Sequence, residues 1–191
     1  MSGLRGHPDR ERWNARYAAE PPRFESHPLV AAAFAAGLPD GPVLELACGR
    51  SGSALELAAA GRRVTAVDIS DLALRQLGDE ARRRHLDDRI ERVLADVPSY
   101  EPGRRRYAFV LATRYWDPTA FDAACAAVAP GGLLGWEALC YEPGVDRDPG
   151  LWRVPHGELS ARLPARFEVL EELALQAGSR RSTRLLARAA Y

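Results

Sequence analysis

Short apolar runs alternate with amphipathic stretches through the middle of the chain, a pattern typical of a parallel β-sheet covered by helices. The apolar runs predict five strands, at Val43–Cys48, Arg63–Ile69, Ile90–Ala95, Tyr107–Thr113 and Leu133–Leu139. The amphipathic stretches predict helices over 51–60, 70–84 and 117–129, and each has a Ser or Asp at its amino end. The sequence therefore predicts an α/β fold with helices on both faces of the sheet.

The pattern changes after Tyr141. A stretch rich in Pro and Gly extends to His156 and predicts a long loop, followed by a short helix around 157–163. Two last apolar runs, at 167–175 and 183–190, are separated only by a tight turn. Strands joined so closely must pair antiparallel, so we expect an antiparallel end to an otherwise parallel sheet.

Residues 9–36 come before the first strand and predict two helices with Pro21-Pro22 between them. Trp13 and Tyr17 supply apolar contacts in the first of these helices. We expect this segment to lie across the carboxyl edge of the sheet and to cover an active site there. With 191 residues, of which 47% are hydrophobic, the chain suits a single domain spanning 1–191.

The sequence contains no lysine, so all 26 basic residues are arginine. A guanidinium group stays protonated and cannot form a Schiff base, whereas a lysine amine can be tuned by burial. The absence of lysine also excludes the phosphate-binding P-loop and the Tyr-x-x-x-Lys pair of short-chain dehydrogenases. The chemistry of this protein therefore has to operate without lysine.

Charge and cysteine content narrow the expected partners. The 26 basic residues balance 26 acidic ones, which gives no field for attracting nucleic acid. Three cysteines show no Cys-x-x-Cys pair and no histidine at metal-ligand spacing, so we expect no metal site and reduced thiols in a cytoplasmic protein. No apolar run approaches the roughly 20 residues that span a bilayer, so no membrane association is expected.

The segment ELACGRSG, residues 45–52, joins the first predicted strand to a helix, where open α/β sheets bind nucleotides. Its small residues Ala47, Gly49 and Ser51 let a ligand approach the backbone amides closely. Asp68 ends the second strand nineteen residues after Gly49, where a carboxylate can accept both ribose hydroxyls.

The third predicted strand is followed by Asp96, which is placed to accept a hydrogen bond from an adenine amino group. Ile69 and Val97 are placed to pack on the two faces of the ring. Glu45, Asp68 and Asp96 thus follow one another along a sheet of order 3-2-1-4-5. Together these residues predict an adenosine-binding edge.

The sequence VLELACGRSGSALELAAAGRRVTAVDIS resembles the first two motifs of the class I S-adenosylmethionine-dependent methyltransferases. The resemblance covers about residues 9–191. Within the family, the leading Trp-x-x-x-Tyr helix, with Trp13 and Tyr17, is similar to that of the small bacterial tellurite-resistance and thiopurine methyltransferases. The resemblance implies a Rossmann-like, seven-stranded, mostly parallel sheet of order 3-2-1-4-5-7-6 with an antiparallel last strand.

The resemblance also implies roles for particular residues. The methionine part of S-adenosylmethionine would face Glu45, Ala47, Cys48 and Gly49, and its ribose and adenine would face Asp68, Ile69, Asp96 and Val97. Thr113 would lie beneath the ligand, and Trp13 and Tyr17 would cover it. The sequence departs from the family pattern at two positions. Ser51 stands where a glycine is usual, and this change is expected to tighten or shift the amino-acid end of the pocket. Ala108 stands where an aspartate is usual.

Three alternatives remain open. An NAD-dependent oxidoreductase would use the same sheet edge, although Glu45 favours a cofactor with an ammonium group over a pyrophosphate. A hydrolase needs G-x-S-x-G, but the final position here is Ser53. A protein that binds S-adenosylmethionine without catalysis has the same sequence signals as an active enzyme.

Methyl transfer requires alignment of the acceptor and exclusion of water, and it needs a general base only for a weakly acidic acceptor. The candidates near the reacting centre are Arg114 and Tyr115 after the fourth strand, with His156 from the long loop. Trp116, Tyr141 and Trp152 are further candidates near the same opening. We expect a small-molecule acceptor, anionic or aromatic, and a monomer or homodimer.

Overall fold

A mixed eight-stranded sheet forms the centre of the computed structural model, which describes residues 4–144, 150 and 152–191. Its strands are β1 (Val43–Leu46), β2 (Val64–Asp68), β3 (Ile90–Leu94), β4 (Tyr107–Thr113), β5 (Val128–Tyr141), β6 (Arg153–Pro155), β7 (Phe167–Ala177) and β8 (Arg180–Ala189). The order is β3-β2-β1-β4-β5-β8-β7, and β6 pairs with the end of β5. The predicted order and antiparallel strand are confirmed, because β8 is antiparallel to both neighbours and the other pairings are parallel.

Six helices pack around this sheet in the described part of the chain. They are α1 (Pro8–Ala19), α2 (Pro28–Ala35), α3 (Gly52–Ala59), α4 (Asp71–Arg83), α5 (Pro118–Ala127) and α6 (Glu158–Ala161). Side chains of Ser51, Ser70 and Asp117 accept amide hydrogen bonds at the amino ends of α3, α4 and α5, and the caps at Ser70 and Asp117 were predicted. None of these helices combines the length and the apolar character needed to cross a membrane.

Two hydrophobic layers hold the helices against the two faces of the sheet. On one face Trp136 packs edge-to-face against Phe121 of α5, with ring centres 5.0 Å apart. On the other face Phe109 and Leu55 belong to a second cluster, to which α2, α3 and α4 contribute. All four residues of β1 are buried, which is the pattern of a central parallel strand covered on both faces.

The sequence misplaced two boundaries in the second half of the chain. Helix α5 ends at Ala127, two residues before the predicted end, and β5 begins at Val128, not at Leu133. The reason is that Val128 already pairs with Tyr107 of β4, so the Pro130-Gly131-Gly132 segment lies within an irregular strand and does not separate a helix from a strand.

The second correction concerns the predicted loop between Tyr141 and His156. The short strand β6 lies within this stretch and pairs in parallel with residues 139–141 of β5, so the sheet has eight strands and not seven. Residues 145–149 and 151 of the predicted loop lie outside the described residues.

Candidate active site

The candidate site is built on the turn between β1 and α3, at the carboxyl edge of the sheet. Ala47 and Gly49 both have positive φ angles, of 50° and 55°. The Cys48 amide donates to the Val67 carbonyl of the neighbouring strand at 3.0 Å, which anchors the turn to β2. The loop backbone is therefore fixed in a left-handed conformation that favours glycine at two positions.

Glu45 lies within β1 directly beneath this turn and is only 2% exposed. Its Oε2 accepts a hydrogen bond from Ser51 Oγ at 2.5 Å. Burial, together with the nearby Asp68 carboxylate, raises the pKa of Glu45 from 4.5 to about 8, although the Ser51 bond opposes the rise. Glu45 is thus predominantly protonated at neutral pH when no cation lies beside it.

Ser51 directly precedes α3, and its hydroxyl group has two structural functions. Its hydroxyl donates to Glu45 and also accepts the Ala54 amide at 2.8 Å, which caps α3. The sequence placed Ser51 at the start of the predicted helix 51–60, whereas in the structure it caps a helix that begins at Gly52. The bond to Glu45 was not predictable, because it depends on where β1 places that side chain.

Asp68 ends β2 beside the loop and is 6% exposed. Its Oδ2 accepts from the Gly49 amide and its Oδ1 from the Ser70 amide, each at 2.7 Å. Burial raises the pKa of Asp68, and these two amides oppose the rise. Each carboxylate oxygen can accept a second hydrogen bond, so Asp68 retains acceptor capacity for a pair of ligand hydroxyls.

The other predicted ligand residues occupy the same edge. Ile69 is 9% exposed and follows Asp68, whereas Val97 is 6% exposed and packs in the core cluster that contains Trp116. Asp96 precedes a short turn and accepts from Ser99 Oγ at 3.0 Å. Thr113 ends β4 and is half-buried. The structure thus places all four at the carboxyl ends of β2, β3 and β4 or in the turns that follow them.

Helix α1 and the segment after it lie directly on the turn between β1 and α3, residues 47–51. A Cβ atom at Gly49 would lie 2.3 Å from Tyr17 Oη, and one at Gly52 would lie 2.3 Å from the Glu25 backbone. Trp13 stacks on Tyr17 with ring centres 6.0 Å apart. Burial and the nearby Asp68 carboxylate raise the pKa of Tyr17, so its hydroxyl is protonated. The predicted N-terminal cover therefore reaches the loop itself.

Polar contacts tie one end of this cover to the start of α4 and the other end to β5 of the sheet. The Asn14 side chain donates to Asp71 at 2.8 Å and accepts from Ser70 Oγ at 2.6 Å, at the start of α4. At the start of α2, His27 Nε2 lies 3.0 Å from Glu137 Oε2. Arg184 also donates to Glu137, and these two partners hold the pKa of that carboxyl at about 2, against the effect of burial. Sequence reasoning missed this cluster, because its members are more than 40 residues apart.

The candidates after β4 have different environments. Tyr115 Oη is buried and has no hydrogen-bond partner among the described residues, and burial followed by Asp117 raises its pKa. Arg114 is exposed and has a positive φ of 55°. Trp116 is buried and packs against Phe121 at 5.6 Å between ring centres, so it belongs to the core. Of these three, Tyr115 has the polar atom best suited to meet a ligand.

The candidates from the predicted loop lie further from the turn. His156 Nδ1 is 3.0 Å from Thr183 Oγ1 of β8, and β8 is three strands, roughly 14 Å, from β1. Trp152 is 47% exposed and lies 5.7 Å from the Arg12 guanidinium of α1. Tyr141 ends β5 and is half-buried. Over the described residues, no group of three or more His, Cys, Asp or Glu side chains could hold a metal ion.

The left-handed backbone at Ala47 gives a testable prediction. An alanine in this conformation costs about 1 kcal/mol relative to glycine, since its Cβ crowds the backbone. Replacing Ala47 with glycine should therefore raise the free energy of unfolding by about 0.5–1 kcal/mol, measured by urea denaturation. The matched control is Ala31→Gly in the exposed face of α2, which should lower stability by about 1 kcal/mol. Equal destabilisation by Ala47→Gly and Ala31→Gly would show that the backbone at Ala47 is not strained.

Comparison with known proteins identifies the region that carries this site. Residues 43–132 match a protein family described as "Methyltransferase domain". The match begins with β1 and ends within β5, so it includes the turn between β1 and α3, Glu45 and Asp68. A search of curated protein sequences finds no significant match to the chain.

Solved structures share the fold at low sequence identity. TehB from Haemophilus influenzae is 20% identical with a TM-score of 0.75, and the alignment covers 94% of this chain and 66% of that one. Geranyl diphosphate C-methyltransferase from Streptomyces coelicolor A3(2), solved with Mg²⁺, geranyl diphosphate and S-adenosyl-L-homocysteine, is 16% identical with a TM-score of 0.65, covering 83% and 77%. Magnesium protoporphyrin IX methyltransferase from Synechocystis PCC 6803, solved with bound S-adenosylhomocysteine, is 17% identical with a TM-score of 0.65, covering 85% and 81%.

Proposed function

We propose that this chain is a class I S-adenosylmethionine-dependent methyltransferase that transfers the methyl group of S-adenosylmethionine to a small-molecule acceptor, because residues 43–132 match a methyltransferase domain. The observation that supports this most strongly is the pair of buried carboxyl groups, Glu45 and Asp68, on adjacent strands around a turn that tolerates no side chain at Gly49. A ligand with a diol and an ammonium group matches both carboxyl groups.

The proposed ligand contacts follow from these positions. Asp68 accepts the ribose hydroxyls with its remaining lone pairs, and Glu45 lies on the side of the turn that takes the methionine part, along with Ala47, Cys48 and Gly49. The adenine ring lies toward Ile69, Asp96 and Val97. Thr113 lies beneath the ligand, and Trp13 and Tyr17 of α1 cover it.

Methyl transfer requires the protein mainly to align the acceptor with the methyl group and to exclude water. Bound S-adenosylmethionine supplies a methyl group activated by a sulfonium sulfur. The turn and Asp68 fix the position of the cofactor, and α1 excludes water from it. Tyr115 offers a protonated hydroxyl that donates a hydrogen bond to the acceptor. We assign no general base, because an acceptor such as a thiolate needs none.

We propose that the acceptor is small, because α1 and the segment up to Glu25 already lie on the turn. Structural relatives solved with geranyl diphosphate or acting on magnesium protoporphyrin IX use small acceptors on the same fold. We further propose that the whole chain works as one domain, as a monomer or homodimer in the cytoplasm, without nucleic acid. The buried free thiols of Cys48 and Cys125 suit a reducing compartment.

The experiment that tests this function is a screen of small acceptors with isotopically labelled S-adenosylmethionine. Thiols, phenols, amines and metalloid oxyanions should be included, with product identified by mass spectrometry. Label transfer to at least one acceptor, with formation of S-adenosylhomocysteine, supports the proposal. Tight cofactor binding with no transfer to any class would instead favour a binding protein without catalysis.

Protonation of Glu45 predicts that cofactor binding is linked to proton release. The pKa of Glu45 is about 8 in the free protein, and an ammonium group beside it favours the ionised form. Binding of S-adenosylmethionine at pH 7 should therefore release about one proton. Calorimetric titrations in buffers of different ionisation enthalpy measure this number, and Glu45→Gln should abolish it. A buffer-independent binding enthalpy in the wild-type protein would contradict the placement of the ammonium group.

A further inference from the structure

Arg50 follows Gly49 in the turn, and its guanidinium group is engaged mainly by the N-terminal segment. Nη2 donates to the backbone carbonyls of Tyr17 and Glu20, the latter at 3.0 Å. Nη1 donates to the Pro21 carbonyl at 3.1 Å. The same group lies 4.8 Å from the centre of the Tyr17 ring. The Arg50 side chain thus binds one carbonyl in the last turn of α1 and two in the residues that follow the helix.

The direction of this side chain is fixed by α4. Arg50 Nε donates to Gln76 Oε1 at 2.5 Å. Four hydrogen bonds therefore use four of the five N–H groups of the guanidinium, which leaves little capacity for a direct bond to a ligand. Arg50 is committed to contacts within the protein.

These contacts suit the end of a helix. The last carbonyls of α1 have no partner within the helix, and a positive charge at a helix carboxyl end is favourable. In the closed arrangement Arg50 supplies both the donors and the charge. The same bonds are lost when α1 moves away from the turn, so they favour the closed position of α1.

We infer that Arg50 is a positioning residue that controls the closing of α1 over the turn between β1 and α3. The inference rests on the proposed function, because it concerns the turn proposed to hold the cofactor. Tyr17 Oη occupies the space that a side chain at Gly49 would fill. Entry of a ligand to Gly49 requires α1 to move away from the turn, and this movement breaks the bonds from Arg50 to the backbone carbonyls until α1 closes again over the bound cofactor. Opening of α1 therefore limits both entry and exit of the cofactor.

The kinetic test uses S-adenosylhomocysteine as the probe, followed by stopped-flow tryptophan fluorescence with Trp13 as a reporter on α1. In Arg50→Ala, the association and dissociation rate constants should each rise at least about fivefold, because opening precedes both steps. The Kd should change less than about threefold, since the bonds from Arg50 are made in the closed free protein and again in the closed complex. A change in Kd alone, with an unaltered association rate, would overturn the inference.

Hydrogen exchange of the ligand-free protein tests the same contact without the cofactor. Amides of α1 should exchange at least about tenfold faster in Arg50→Ala than in the wild type, while those of β4 keep their protection. Arg50→Lys retains the charge but has a compact ammonium in place of the fork, so it should restore part of the protection. The exposed Arg83→Ala is the matched control and should leave α1 unchanged.

The outcomes separate the two proposals. Unchanged exchange of α1 in Arg50→Ala would overturn the role of Arg50, whatever the ligand. Failure of the wild-type protein to bind S-adenosylhomocysteine would refute the proposed function, while the exchange measurement would still decide whether Arg50 holds α1. If Arg50→Ala does not fold, Gln76→Ala removes one anchor of the guanidinium from outside the turn. It should shift rates and exchange in the same direction by a smaller factor, and no shift would overturn the inference.

Discussion

Replacing Asp68 with asparagine should weaken binding of S-adenosylhomocysteine by about 100-fold or more. The carboxylate accepts the Gly49 and Ser70 amides, one on each oxygen, and is proposed to accept the ribose hydroxyls as well. Asparagine has a single acceptor oxygen, and its NH₂ group would face one of these amides. The loss of charge-assisted bonds and an unpaired buried amide together correspond to about 3 kcal/mol. Calorimetric titration measures the change.

The control for this substitution is Asp79→Asn, an equal change of charge at an exposed position of α4. It should leave the affinity unaltered within error. Because Asp68 also holds the turn, thermal unfolding of both variants must show that each is folded at the titration temperature. Retention of full affinity by a folded Asp68→Asn protein would show that the ribose is bound elsewhere.

Removing the buried carboxyl of Glu45 should change how stability depends on pH. The pKa of this group rises from 4.5 to about 8 on folding, so its proton is bound more tightly in the folded state. Its contribution to stability is fully present below pH 4.5 and is lost as the pH rises through 8. Between pH 4.5 and 8 this group should lower the free energy of unfolding of the wild-type protein by about 4 kcal/mol. Glu45→Gln has no titrating proton at this position and should not show this decrease.

Urea unfolding at several pH values between 5 and 9 tests this expectation in the absence of ligand. The other titrating groups are common to both proteins, so the difference between wild type and Glu45→Gln isolates Glu45. Glu56→Gln, at an exposed position of α3, is the matched control and should follow the wild type. Parallel pH profiles for wild type and Glu45→Gln would show that Glu45 is ionised in the folded protein.

Much of the fold was predictable from local pattern. Continuous apolar runs gave the central strands, and the tight turn near Gly178 required the antiparallel pair β7 and β8. The start of β5 was not predictable, because Val128 becomes part of a strand only by pairing with Tyr107 on β4. Strand β6 has three residues and depends in the same way on its partner.

In the candidate site, too, features set by local sequence were predictable, and features set by contacts distant along the chain were not. The positions of Asp68 and Gly49 at one edge of the sheet were predictable, because they follow from strand ends and backbone conformation. The contacts of Arg50 and Glu137 were not predictable, since both residues bind the N-terminal segment, which lies 20 or more residues away along the chain. Helix α1 was expected to cover the edge, but only the packed structure shows Tyr17 Oη against Gly49.

The central claim is that this edge binds S-adenosylmethionine, and thermal unfolding with different ligands tests it most directly. A ligand specific for the folded state at 100 times its Kd adds about 2.7 kcal/mol of stability. For a domain of this size that corresponds to a rise in Tm of about 5–10 °C. We predict such a rise with S-adenosylmethionine and S-adenosylhomocysteine and none with NADH. A rise with NADH, and none with either sulfur compound, would contradict the account.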